Sequence, residues 1–176
     1  MARDVVHRAA SLPQRPPRLS WGPVSVRLRR IESLESALAL APALEDRAAE
    51  FHDQFSDDPF PEGALERFLR AHFDDPESHL LIAEEALSER MAGLCLVGPF
   101  ADPLLGTRLP MVLVLHVEPA FRHRGLARTL VGRAVQLLAA RGLTRLAARA
   151  GHNDDALISM GERWGFVRVW ELMLRE

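Results

Sequence analysis

MVLVLHVEPAFRHRGLAR, residues 111–128, passes from a buried strand through a basic loop into a helix. Met111–Val117 is almost unbroken Val and Leu, the composition of a strand covered on both faces. Pro119 ends it. From Gly125 the apolar positions follow a helical period, with Leu126, Leu130, Ala134, Leu137 and Leu138 on one face. That helix is expected to run to Arg141, where Gly142 closes it. The loop between them breaks a rule. A helix start leaves four backbone N–H groups unpaired and carries partial positive charge, so acidic residues suit it. Here Arg122, His123, Arg124 and Arg128 stand there, with no acid after Glu118. Each misplaced cation costs roughly 0.3–1 kcal/mol unless something neutralises it. Gly125 and Ala127 keep bulk away from the backbone. The loop is built for a polyanion, and a pyrophosphate fits it well.

Composition narrows the chemistry further. In 176 residues all 22 cationic side chains are arginine, 24 are acidic, and there is no lysine and no tyrosine. A lysine-dependent phosphate loop, Schiff-base chemistry and tyrosine-dependent hydride chemistry are thereby excluded. The single cysteine, Cys95, rules out a disulfide framework or a multi-cysteine zinc site, and its apolar neighbours mark it as a core residue. No metal site is expected. No apolar run is long enough to span a membrane and the first residues lack a signal-peptide core, so a cytoplasmic, bacterial protein is expected.

The net charge of −2 conceals a segregation. Ala43–Glu89 holds fourteen acidic residues against three arginines, a balance of −11. Thr107–Gly151 holds eight arginines against Glu118 alone, a balance of +7. Solvated helix faces would account for such runs. Two opposite fields in one domain also suit two ligands, an anion on the C-terminal half and a cation on the N-terminal half.

Along the chain, residues 1–23 form a proline- and arginine-rich basic arm, disordered or loosely docked, ahead of one domain over 24–176. The patterns predict a strand at Val24–Ile31 and a helix from Ser33 to Gln54 broken at Pro42. A second helix is expected to open at Phe60-Pro61 and run to Phe73. A hairpin follows, from His79–Ala83 and Met91–Val97, then a loop containing Pro99, Pro103, Gly106 and Pro110. After the central strand and its helix come a strand at Arg145–Ala150, a helix from Asp154 or Asp155 to Arg163, and a strand at Phe166–Leu174.

Arg122-His123-Arg124-Gly125-Leu126-Ala127 resembles the acyl-CoA-binding motif, Gln/Arg-x-x-Gly-x-Gly/Ala, of the GCN5-related N-acetyltransferases (GNAT). Val117-x-Pro119-x-Phe121, Gly93, Ala83-Glu84 and Trp164-Gly165-Phe166 also fall where that family's pattern places them, so the similarity covers about Val24 to the C-terminus. The resemblance implies an α+β fold in α/β/α layers, the acyl-CoA N-acyltransferase fold. Its central sheet is mixed, mostly antiparallel and splayed between two parallel strands, with helices on both faces. Acetyl-CoA would lie in that cleft as cosubstrate. Carried over, backbone N–H groups from His123 to Arg128, behind Arg122, would cradle the pyrophosphate. The backbones of Leu115 and Val117 would pair with the pantetheine arm. The Leu115 N–H would hold the thioester oxygen as charge develops on it. Asn153 and Asp154 would face the far side of the CoA arm.

The family pattern is not complete here. Many relatives place a Tyr acid on the last helix, where this chain has Gly161 or Met160, and a Glu or His base where it has Met111 or Leu113. Two substitutes for the base are Glu84, at a strand end, and His116, whose imidazole titrates near neutrality. Regular alternation would point His116 away from the face carrying residues 111, 113 and 115. Ser159 is a weaker candidate acid. The ordinary alternatives are an exposed hairpin carboxylate and a hydrogen-bonded core histidine.

The acidic segment holding Asp53, Asp57, Asp58 and Glu62 would form the acceptor mouth, favouring a cationic small-molecule or peptide amine. The reading that emerges is acetyl transfer from acetyl-CoA to a primary amine by direct attack. A catalytically weak or inactive acyl-CoA-binding sensor or scaffold is the alternative. Nucleic acid is disfavoured as a partner, because the arginines centre on one helix start. A short last strand would leave a sheet edge that a second copy could cover in a homodimer.

Overall fold

The computed structural model describes residues 25–53, 57–101, 108–150 and 155–168. The basic arm, Asn153, Asp154 and residues 169–176 of the expected last strand lie outside the described residues; Phe166–Arg168 follow a helix without forming a strand.

Five strands form one sheet in the order β1 (Val26–Arg30), β2 (His79–Glu85), β3 (Met91–Ala101), β4 (Arg108–Val117) and β5 (Ala147–Ala148). The first four are antiparallel neighbours and β5 runs parallel to β4. Helices α1 (Leu34–His52) and α2 (Ala64–His72) pack one face, where Ala37, Ala41, Leu44, Leu65 and Leu69 meet Leu80, Ile82, Leu94, Leu96 and Val114. Helix α3 (Leu126–Ala139) covers the other, with Leu126, Leu130, Ala134 and Leu138 on Leu81, Ala83, Cys95, Val97 and Val112. Helix α4 (Asp155–Arg163) ends at Gly165, φ +94°, where the Phe166 N–H donates back to the Gly161 carbonyl.

Several expectations need correction. Helix α1 is not broken at Pro42: the ring is exposed, and the buried stripe Ala37–Ala41–Leu44–Ala48–Phe51 holds the helix together across it. Helix α2 does not open at Pro61. The chain makes a turn there, the Ala64 N–H donating to the Pro61 carbonyl, and Gly63 at φ +66° starts the helix. The loop expected around Pro99 and Pro110 is partly strand. These prolines face each other in the β3–β4 ladder, a pair that needs no N–H from either.

The fourth correction concerns side-chain facing. β3 and β4 keep register on either side of a bulge in which Leu96 opposes Val114 but Val97 opposes Val112, so Leu113 is the extra residue. Alternation therefore fails at that point. Leu113 packs with the α1/α2 cluster, Val117 borders the α3 cluster, and Leu115 touches both.

Gly93 allows a close backbone approach in the sheet. A Cβ there would sit 2.7 Å from the His116 carbonyl oxygen, with Leu130 of α3 just above. A side chain would meet the β4 backbone first and force β3 and β4 apart at this point.

At the opposite end of β2, His79 is 2% exposed and neither ring nitrogen has a partner among the described residues. Burial, with the charges of Arg30 and Arg141 beside it, pushes its pKa down to about 4. The unfolded chain takes up this proton near pH 6.5 and the native protein only near 4. Stability present above pH 6.5 is thus lost as pH falls through that window, ~3 kcal/mol in full. Urea unfolding at pH 7 and pH 4.5 should show this loss in the parent and a flatter response in His79→Leu. An equal loss in both would assign the acid sensitivity to other groups.

Candidate active site

The parallel pairing of β4 with β5 lasts two residues, Met111 with Ala147 and Val112 with Ala148. Beyond it, Leu113–Val117 have β3 on one side and no described strand on the other. The direction of each amide follows from one bond. Glu118 donates its N–H to the Ala92 carbonyl on β3 at 3.0 Å. Alternation then turns the His116 N–H towards β3 and the N–H and C=O groups of Leu115 and Val117 towards the open side. The strand thus presents a backbone edge ready for an extended partner.

That edge leads into the basic loop. A 3₁₀ turn, Pro119–Phe121, reverses the chain and buries Phe121, over whose ring the Arg90 guanidinium stands at 5.3 Å. Arg122, His123, Arg124 and Gly125 are exposed. His123 (φ +60°) and Gly125 (φ +81°) both adopt the left-handed conformation, which gathers successive N–H groups into a concavity. The first bond closing α3 runs from the Thr129 N–H to the Gly125 carbonyl. The N–H groups of Leu126, Ala127 and Arg128 therefore remain at the helix end with no side-chain cap and no acid in the first turn. Such a cradle suits an anion.

Arg122 sits differently from its neighbours. Its Nε donates to the Val117 carbonyl at 2.8 Å, and a terminal nitrogen is 3.0 Å from Glu50 of α1. The guanidinium is thus turned to the protein, leaving Arg124 and Arg128 as the loop's other arginines. Beneath it His116 is 6% exposed on the α1 side, with Nδ1 3.3 Å from Glu50 and Nε2 3.6 Å from Glu118. Glu118 is held in turn by Arg47 at 2.9 Å. Neither Arg47 nor Glu50 stood out in the sequence. Their only sign was opposite charge at an i, i+3 spacing on α1.

Glu84 is brought elsewhere. It is paired with Arg29 of β1 at 2.7 Å. Leu115 opposes Cys95, Cys95 opposes Leu81, and Glu84 lies three residues further along β2. Two strands sideways and three residues along separate it from Leu115 by roughly 14 Å. Met111 is buried, Leu113 half-buried and Ser159 exposed on α4. Cys95 is fully buried, and burial pushes its thiol up to about 12, which makes it inert. Asp53 caps the C-terminus of α1, while Asp57, Asp58 and Glu62 are exposed on the segment joining it to α2. Among the described residues no group of three or more His, Cys, Asp or Glu could hold a metal ion, and no helix is long and apolar enough to cross a membrane.

A mostly antiparallel sheet that parts between two parallel strands, with helices on both faces, is the acyl-CoA N-acyltransferase fold. Solved structures agree. The aminoglycoside N-acetyltransferase AAC(6')-Iy in complex with CoA superposes with a TM-score of 0.65 at 15% identity, covering 87% of this chain and 95% of that one. A predicted acetyltransferase with acetyl-CoA from Clostridium acetobutylicum gives 0.64 at 15% identity over 86% and 96%. A ribosomal-protein-alanine N-acetyltransferase from Brucella melitensis biovar Abortus 2308 gives 0.55 at 17% identity over 86% and 99%. No curated protein sequence matches the chain. The acetyltransferase (GNAT) family model matches residues 40–166, and the chain belongs to that family of enzymes.

Proposed function

We propose that the protein transfers an acetyl group from acetyl-CoA to a primary amine of a cationic small molecule or peptide. The observation that carries this reading is the continuity of the open β4 edge with the anion cradle at the start of α3. An extended pantetheine arm would pair with the outward amides of Leu115 and Val117 while its pyrophosphate meets the N–H groups from His123 to Arg128. Of the arginines, Arg124 and Arg128 would add charge outside the cradle, and Arg122 would act by holding the loop.

With the thioester oxygen at the Leu115 N–H, the neutral acceptor amine attacks the carbonyl carbon and forms a C–N bond. Negative charge gathers on the oxygen, where the positioned N–H opposes it. The C–S bond then breaks, the amide forms, and the CoA thiolate takes up a proton. The nitrogen's surplus proton leaves through water. Positioning and oxyanion stabilisation supply most of the acceleration in such a direct attack. No side-chain base is assigned. Glu84 is neutralised by Arg29 at a distance from Leu115, and His116 is enclosed by Glu50 and Glu118 on the α1 side.

The acceptor's charge is read from Asp53, Asp57, Asp58 and Glu62, on and after the end of α1. Three of the proteins whose structures share the fold are, by name, aminoglycoside acetyltransferases. The second reading, an acyl-CoA sensor or scaffold, draws on the apolar Met111 and Leu113 and on the absence of tyrosine.

Calorimetric titration with acetyl-CoA should give micromolar binding to the parent and none to Gly125→Glu, whose carboxylate would occupy the cradle. An amine screen should then release free thiol. Binding without thiol release from any amine would favour the sensor, and no binding by the parent would overturn both readings. With an acceptor in hand, Asp57→Arg/Asp58→Arg should raise its KM about tenfold without weakening acetyl-CoA binding. An unchanged KM would make the acidic segment an ordinary solvated surface.

A further inference from the structure

We infer that Arg47 and Glu50 are positioning residues for the donor loop, strapping it to α1 through two ion pairs of opposite sense. This inference rests on the donor site proposed above. Arg47 and Glu50 lie three residues apart, on one side of α1. Glu118 and Arg122 bracket the 3₁₀ turn that joins β4 to the loop. The pairs cross-match in charge: Arg47 with Glu118 at 2.9 Å and Glu50 with Arg122 at 3.0 Å. His116 lies beneath both, 3.3 Å from Glu50 and 3.6 Å from Glu118, so the two carboxylates share a buried floor. The second bond of Arg122, to the Val117 carbonyl, ties the same guanidinium to the last residue of β4.

Two consequences follow for an anionic donor. The loop's N–H groups begin immediately after Arg122, so a fixed Arg122 fixes the direction in which they point. The strap also neutralises Glu50, which would otherwise set a bare carboxylate behind a pyrophosphate. Half-exposed ion pairs contribute little to global stability. Their effect is therefore expected in the local geometry and charge of the loop rather than in the fold. Since α1 continues into Asp53 and the acidic segment, one helix anchors the donor loop and leads to the acceptor side.

The test is acetyl-CoA titration and donor kinetics for the full chain and for Glu50→Gln, Arg47→Gln, Arg122→Gln and Glu50→Gln/Arg122→Gln. Each of the first two should raise Kd and donor KM together, about fivefold, by more than kcat falls. The double variant should bind no more weakly than Arg122→Gln alone, because Glu50 acts through Arg122. Glu50→Asp should recover part of the affinity. Lower melting temperatures with an unchanged Kd would reduce the strap to a structural contact and overturn the inference. If Glu50→Gln does not fold, Arg47→Gln carries the test through the independent pair. A parent that does not bind acetyl-CoA would instead overturn the donor site itself.

Discussion

Among the described residues, Leu113–Val117 of β4 have a strand neighbour on one side only, and most of the described structure is arranged around that fact. A row of backbone amides inside a sheet must find partners or meet solvent. Here β5 supplies two rungs and then parts from β4. The bulge at Leu113 falls where the parting begins and resets which side chains face which layer. Beyond it the strand can keep its inner ladder with β3 while its outer amides stay available. Gly93 lets β3 and β4 approach closely in this part of the sheet, and the Pro119–Phe121 turn delivers the helix start to the same end. An open edge and a bare helix N-terminus are each weak features alone. Joined by the eight residues Glu118–Gly125, they form the groove of N–H groups on which the proposed function rests.

The charge segregation in the sequence acquires a second meaning in three dimensions. Acidic residues of α1 and basic residues of the loop are partly spent on each other, through Glu50 with Arg122, while Arg47 with Glu118 runs the opposite way. Exposed charge remains on both segments: Arg124 and Arg128 on the loop, and Asp57, Asp58 and Glu62 on the α1–α2 segment. In the proposed function, the two ligands suggested by composition would meet the basic loop and the acidic segment, which a single helix links.

The order of the described elements was legible because their signals are local. Apolar alternation, the helical period after Gly125 and the hairpin gap before Met91 each depend on a few neighbouring residues. Errors arose where packing overrode local preference. The buried stripe of α1 outweighed Pro42, and paired Pro99 and Pro110 extended strands that looked like loop. The bulge at Leu113 cannot be read from a run of Val and Leu, because every residue there suits a strand on either face. The basic loop stood out in the sequence since three arginines at a helix start violate a strong electrostatic preference. Glu50 and Arg47 were not, because ion pairs linking positions about 70 residues apart leave no periodic trace. For Glu84 the sequence suggested a chemical type but could not place the arginine that faces it.

The central claim is that one groove, from Leu115 to Arg128, takes the acyl-CoA donor. Residue-resolved amide hydrogen exchange with and without saturating CoA tests it most directly, because it reads the backbone groups themselves. Exchange should slow at the Leu115 and Val117 amides and from His123 to Arg128, with little change at the outer strand β1. Bound CoA that leaves those amides unchanged, or protects another edge of the sheet, would contradict the account.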